Sequence, residues 1–458
     1  MPQPGKQLDL DRRRYLKHLV GAGAMVGLAG CSGGDGGDGG DGGDGGSDDG
    51  TTVEGDTDVS EDSIVIGQPA SLTGKWDFLQ KAATAMTEMT LAQINDAGGP
   101  LGRQVEVSRR DTGVDPQEAR TVVEQLTNVD GASVINGLFS SEIAPLQDFL
   151  IDNEVPVITP WPGSRDLDDF GGDNGTPGDL SDDEWVWRTI ISDSVHTAGA
   201  ALKMAEEVDT VAVLNGTSAG ERSWAEAFMG AAAVIDDLEV VTQLEVEEGK
   251  NSYQSDLSRL FGNEFDGWAF SLGLQDAITL LREWSQGGYG KPVMIEDGLQ
   301  QSELVNTLGS RLEGDDVFVT AGSTSGPAAE TVLDQFTEEY PDQDTHPWGI
   351  AMYDAITVGA LAIHRAGSTD PTEVEKNIGP VSRPPGTEVT NFADGKEALD
   401  NGEDINFKGA VSAVEFTDKG DVVGDASVYD VTPDGFTQTG TVNADDIQAI
   451  LTDSEYGS

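Results

Sequence analysis

From Ile64 onward, short runs of β-branched and apolar residues alternate with longer stretches whose apolar positions recur every three or four residues. Ile64-Val65-Ile66 reads as a buried strand, after which Ala82, Met86, Met89 and Ile94 fall on one face of a helix. Gly98-Gly99-Pro100 stops that helix, and Val105 and Val107 alternate as the next strand. Asp115-Pro116-Gln117-Glu118 has the form of a helix start: a capping acid, Pro at the first position and Glu to close a capping box. The alternation continues through Ser133-Val134-Ile135, a helix from Glu142 to Asn153, and Val155 to Thr159. A second series follows in Val211-Ala212-Val213-Leu214, Trp268-Ala269-Phe270 and Val293-Met294-Ile295, with helices between. Repeated strand–helix units predict an α/β fold with doubly wound parallel sheets covered on both faces. About 400 residues exceed one such core, so two lobes are expected. The acidic, Gly-rich stretch 166–183 reads as a surface loop before the crossing into the second lobe.

The region before Ile64 has a different character. Asp11-Arg12-Arg13-Arg14-Tyr15-Leu16-Lys17 resembles a twin-arginine export signal, with Arg12 and Arg13 as the paired basic residues. Leu19 to Ala29 is too short for a stable membrane span but fits a signal-peptide apolar region. Small residues then lead to Cys31 as in a lipobox, where cleavage after Gly30 would leave Cys31 first and lipid-modified. Cys31 is the only cysteine, so no intramolecular disulfide can form although the chain reads as exported. Gly21-Ala22-Gly23 superficially matches a dinucleotide fingerprint, but it lies inside the export signal with no strand before it. From Gly33 to about Asp44 the chain repeats Gly-Gly-Asp, a solvated tether that would hold a folded body roughly 30 Å or more from a membrane. No periodic apolar residues are present to make it a calcium-binding repeat.

Charge narrows the setting. Asp plus Glu total 83 against 26 Lys plus Arg, a net charge of −57. Such a surface repels nucleic acid and anionic lipid headgroups. Surface charges interact over about 10 Å at 0.1 M salt and about 3 Å at 1 M, so the composition is that of a protein built for very high salt, as in an extreme halophile.

The ordered motifs Ile64-Val65-Ile66-Gly67, Leu72-Thr73-Gly74, Gln93-Ile94-Asn95-Asp96-Ala97-Gly98-Gly99-Pro100-Leu101-Gly102-Arg103 and Asp111 with Pro116 resemble the opening of the branched-chain amino-acid-binding protein family. Gly137 with Ser140-Ser141, Val155-Pro156-Val157-Ile158-Thr159-Pro160, Trp187-Arg188-Thr189 with Asp193, Tyr353-Asp354-Ala355, and Phe416 with Gly420-Asp421 continue it in family order. These are type I periplasmic-binding-fold components of ATP-binding cassette importers. The resemblance implies two lobes joined by three crossings and closing on a small ligand. The expected division is 1–30 export signal, 31–62 tether, 63–192 and 321–410 one lobe, and 193–320 and 411–458 the other with the C-terminal tail. Expected partners are a small-molecule ligand, the permease and ATPase subunits, and the membrane through lipid on Cys31, with the chain itself monomeric. No cofactor and no metal are implied.

In doubly wound sheets, ligands bind beyond the carboxyl ends of the strands. Ser140 and Ser141 follow one such end and open a helix, where hydroxyls and unpaired N–H groups would hold a carboxylate; simple N-capping is the competing role. Trp161, Gly163 and Ser164 follow the next strand as the adjoining wall. By the resemblance, Asp297 takes the place of the acidic residue that pairs with an amino-acid ammonium, a turn cap being its alternative. Trp76 from the first loop and Phe270 from the second lobe are counted as apolar contacts. Three departures bear on the ligand: Trp161-Pro162-Gly163 replaces small residues and Thr, Glu142 replaces a Ser or Thr, and Ala219-Gly220 stands where an aromatic lid is usual. An amino acid, an amide or a small organic acid all remain open.

Two other functional classes compete with this one. A ligand-sensing lipoprotein working with a membrane receptor shares this fold, and no receptor-type membrane span is expected after Ile64. An enzyme is disfavoured, because His18, His196, His346 and His364 are scattered, and no metal-ligand spacing, nucleophile elbow or phosphate loop is present.

Overall fold

Two parallel-stranded sheets are formed from one chain that passes back and forth between them. The structure is a computed structural model describing residues 62–73, 77–167, 184–312, 316–343, 345–417 and 419–453. Arg12, Arg13, Cys31, the tether and Trp76 lie outside the described residues.

The first sheet contains β1 (Ile64–Ala70), β2 (Val105–Asp111), β3 (Ala132–Ile135), β4 (Val157–Thr159) and β5 (Val186–Arg188). Its order is β2-β1-β3-β4-β5, with every pair parallel. Helix α1 (Asp77–Asp96) buries Ala82, Met86, Met89 and Ile94, the face expected from their spacing, and Gly98 and Gly99 leave it at positive φ. Helix α2 (Pro116–Asn128) starts on Asp115, whose carboxylate accepts from the N–H groups of Gln117 and Glu118. The expected helix over 142–153 is broken. It forms α3 (Ser140–Ile143), a 3-10 turn (Ala144–Leu146) and α4 (Gln147–Asp152). Pro145 explains the break, since it offers no N–H to the preceding turn.

The second sheet holds β6 (Thr210–Asn215), β7 (Glu239–Glu245), β8 (Gly267–Ser271), β9 (Val293–Ile295) and β10 (Val317–Gly322). Helices α5 (Asp193–Glu207), α6 (Ala219–Ala232), α7 (Gln254–Leu260), α8 (Leu274–Gly287) and α9 (Ser302–Leu308) connect and cover them. The order β7-β6-β8-β9-β10 repeats the winding of the first sheet. In each sheet the winding therefore reverses beside its own first strand, and the loops diverging there open a crevice.

The chain then returns. Helix α10 (Ala329–Glu339) leads to α11 (Pro347–Ala366), which packs beside α1; Gly349 sits directly on Ala82. Every residue of α11 from Gly349 to Ile363 is buried, as expected for a helix apolar on all sides. Next come α12 (Pro371–Ile378), β11 (Thr387–Val389), α13 (Phe392–Asp400) and β12 (Ile405–Phe407). Finally β13 (Ala426–Thr432) and β14 (Gly435–Val442) add an antiparallel hairpin to the edge at β10, and α14 (Ala444–Asp453) packs on α5.

Three crossings join the sheets, after β5, after β10 and after β12. They run bonded to one another. Arg188 N–H donates to Gly420 O at 2.8 Å, Gly326 N–H to Ala410 O at 3.0 Å and Ala328 N–H to Gly409 O at 2.9 Å. Beneath them the wholly buried Asp354 of α11 accepts from Ala410 N–H at 2.7 Å and Val411 N–H at 3.0 Å. Burial outweighs those two bonds and pushes its carboxyl up to about 7.

Gly409 makes this close approach possible, because a Cβ there would lie 2.6 Å from Asp354 Oδ1. Gly409→Ala is expected to lower stability by about 1–3 kcal/mol, seen as a lower denaturation midpoint at unchanged slope. Gly220→Ala, in open space on α6, serves as the control and should be neutral or slightly stabilising.

Candidate functional site

The crevice walls come from strand ends. On the first lobe, Gly137 follows β3 with φ 150°, and a Cβ there would run into the Pro69 carbonyl. Leu138 follows in a left-handed conformation at φ 74°, which for a branched residue is costly and holds only where packing enforces it. Leu138 is wholly buried, and its carbonyl accepts from Thr159 Oγ1 at 2.9 Å. This turn delivers Ser140 and Ser141. Ser140 Oγ accepts from Ser164 N–H at 3.2 Å, so Ser140 ties the loop after β3 to the loop after β4. Ser141 is exposed. Neither serine side chain caps α3; that is done by Glu142, whose carboxylate accepts from Phe139 N–H at 2.8 Å. With α3 only one turn long, little helix dipole stands behind the serine pair.

Trp161, Gly163 and Ser164 lie on the loop after β4. The Trp161 ring is 3% exposed and stacks on Phe139 at 4.8 Å between centroids, so it packs behind the wall as core. Gly163 is small for a reason other than ligand access: a Cβ would sit 2.6 Å from Asp193 Oδ1, and its carbonyl accepts from Asp193 N–H at 2.6 Å. Ser164 O accepts from Arg188 at 2.9 Å. Arg165 N–H reaches Ser223 Oγ of α6 at 3.3 Å, and Ser223 Oγ donates to Asp193 at 3.0 Å. This loop therefore touches the second lobe.

On the second lobe, Asp297 opens a 3-10 turn just past β9, with its side chain one-fifth exposed. Beside it, Glu296 accepts a short hydrogen bond from Ser271 Oγ at the end of β8. Desolvation holds the Glu296 carboxyl well above the usual carboxylate range, and the charges of Glu221, Asp297 and Asp193 add to the effect. His196, on α5 one turn after Asp193, brings Nδ1 to 3.9 Å from Asp297 Oδ1. Phe270 does not belong here. It is 0% exposed within the second lobe's core and stacks on Trp268 at 5.1 Å. The winding that faces Ser271 to one side of β8 turns Phe270 into the packed interior.

Asp297, Ser140, Ser141 and Ser164 thus lie at strand ends, as the topology requires, whereas Trp161 and Phe270 are packing residues. Sequence reasoning missed Glu296, His196 and Ser223. His196 lies three residues after Asp193 on one helix face, a visible signal, but its partners come from β9 and β10. Among the described residues no three His, Cys, Asp or Glu converge to hold a metal, and no helix is long and apolar enough to cross a membrane.

Glu142 gives this wall a measurable signature. Its carboxyl is buried and pushed up to about 7 by desolvation, against hydrogen bonds from Thr112 and Phe139. The folded state then binds a proton that the unfolded state releases, so this group's contribution to stability falls as pH rises from about 4.5 to 7. Glu142→Gln keeps the shape and removes the charge. Relative to wild type it should gain up to about 3 kcal/mol above pH 7 and nothing near the acid end of that window, in denaturant melts at fixed salt. A difference that is the same at both pH values would assign the titration elsewhere.

The leucine-, isoleucine-, valine-, threonine- and alanine-binding protein of Pseudomonas aeruginosa is 27% identical over 338 residues, covering 70% of this chain and 83% of that protein. A leucine-binding protein from Thermotoga maritima superposes with a TM-score of 0.64 at 18% identity, over 84% of this chain and 99% of that one. A solute-binding protein from R. palustris, solved in complex with benzoate, superposes at 0.61 with 13% identity, over 83% and 97% respectively. The model of the periplasmic binding protein family matches residues 63–419, and the chain belongs to that family.

Proposed function

We propose that this protein captures a small molecule bearing both a carboxylate and a primary ammonium group, an amino acid, and hands it to the permease of an ATP-binding cassette importer. The observation that carries this is the unlike chemistry of the two walls. The first lobe offers serine hydroxyls at Ser140 and Ser141, and the second offers the carboxylate of Asp297 with Glu296 beside it. A zwitterion complements both, and hydrogen bonds to charged groups in a closed cleft are the strong ones. The relative named for five amino acids supports the reading, while the benzoate complex marks an organic acid as the alternative. The short loop from Gly163 to Arg165, already touching both lobes, suits a cleft that closes over a small ligand rather than a polymer.

Thermal-shift screening of amino acids, amides and organic acids in molar salt should find a stabilising amino acid, because only a ligand that prefers the folded form raises the melting temperature. Ser141→Ala should then weaken binding by about 1–3 kcal/mol, and Asp297→Asn by as much or more. If Asp297→Asn binds normally while Ser141→Ala does not, the ligand lacks an ammonium group. Normal binding by both would void this site.

The same reading includes anchoring by lipid on Cys31 at the outer face of the cytoplasmic membrane, following export through Arg12 and Arg13. Each buried lipid CH₂ contributes about 0.8 kcal/mol, so Cys31→Ser is expected to release the protein from membranes or leave it uncleaved. Unchanged fractionation and processing would rule out the anchor.

A further inference from the structure

His196 is 3% exposed, yet its ring is not fully satisfied. Nε2 lies in short hydrogen-bond contact with the Thr320 carbonyl of β10. A carbonyl only accepts, so Nε2 carries the hydrogen and, in the neutral ring, Nδ1 carries the lone pair. That Nδ1 is buried without a hydrogen-bond partner and faces Asp297 Oδ1 across 3.9 Å. A lone pair facing a carboxylate sets two acceptors against each other. The gap exceeds a direct hydrogen bond, but a nitrogen placed about 2.9 Å from each atom would span it. Two things can fill the role: a second proton on the ring, making an imidazolium beside Asp297, or an N–H donor from outside.

We propose that His196 is a ligand contact, its neutral Nδ1 accepting from a primary ammonium group that Asp297 also holds, so that this group and His196's own second proton compete for one place. The inference rests on reading Asp297 as the ammonium partner. It adds a second contact, a requirement for N–H rather than mere positive charge, and release of the ring's proton on binding. The one-fifth exposure of Asp297 supplies the entry.

Several carboxylates gather around the ring. Asp193 lies one turn back on α5, Glu296 and Asp297 sit beyond β9, and Glu221 projects from α6. From β10 the ring meets the Thr320 carbonyl. Further along the helix, β13, β14 and α14 meet α5 through Ala426, Val442 and Ile447 at Gly199. A quaternary ammonium brings the same charge but no N–H, and cannot bridge Nδ1 to the carboxylate.

The test follows the imidazole directly. The full chain has four histidines, so the His196 ring resonance can be assigned from its loss in His196→Gln, and by elimination from His18→Gln, His346→Gln and His364→Gln if the first variant folds poorly. Its titration midpoint is measured in molar salt with added methylammonium chloride or, at equal ionic strength, tetramethylammonium chloride. Methylammonium should lower the midpoint by about one pH unit at ten times its dissociation constant, while tetramethylammonium should not. Asp297→Asn should weaken the methylammonium effect at least about tenfold. An unmoved midpoint, or an equal shift with both cations, overturns the proposal. If an amino acid raises the melting temperature while His196 stays unmoved, this contact fails and the amino-acid reading stands. If methylammonium moves His196 but no amino acid stabilises the protein, the contact stands and the amino-acid reading fails.

Discussion

Everything about the cleft depends on three crossings that are bonded to one another rather than left as free linkers. Arg188 and Asp421 form an ion pair between the first and third crossings, with the arginine side chain 1% exposed. The second and third crossings share backbone hydrogen bonds from Gly326 and Ala328. Asp354 pins the third crossing to the central helix of the first lobe through two N–H groups. A buried carboxyl costs stability unless its acceptor capacity is filled, so this anchor tolerates little displacement. The lobes are thereby held in register, and the strand-end loops can face each other.

The two walls divide the chemistry unequally. The first lobe contributes hydroxyls and a backbone turn strained at Leu138, while the second gathers Glu296, Asp297, Asp193 and Glu221 near one another. Burial is the main reason that Glu296 holds its proton more tightly than a free carboxylate, and the charges of Glu221, Asp297 and Asp193 add to it. A cationic group beside these carboxylates would relieve the repulsion between them. On a chain of net charge −57, strong salt screens the outer surface far more than it screens this partly buried cluster.

The loop after β4 shows how a sequence departure is absorbed. Trp161 in place of a small residue does not project an indole into the crevice; its ring stacks on Phe139 and thickens the core behind the wall. Gly163 is then left to accommodate the Asp193 carboxylate, and Arg188 and Ser140 hold Ser164 from opposite sides. The wall is backbone more than side chain. Its shape follows from what packs behind it.

Periodicity alone carried the alternating strands and helices, the cap at Asp115, the Gly98-Gly99-Pro100 stop and the doubly wound class, because each rests on contacts within a few residues. Ser140 and Ser141 follow the loop after β3, and Asp297 lies directly past β9, positions that could be read from the order of elements. The β13–β14 hairpin was not legible, since pairing at the edge of β10 is a contact across about a hundred residues. The burial of Phe270 and Trp161 was equally invisible, because which face of a strand or loop meets the core is settled by its neighbours in space. His196 illustrates the limit most plainly. Its place on the helix was readable, but whether its Nδ1 meets a donor, a carboxylate or nothing depends on how β9 and β10 bring Asp297 and Thr320 against α5. Local propensity determines elements; only the packing of distant elements decides which polar atoms are left needing a partner.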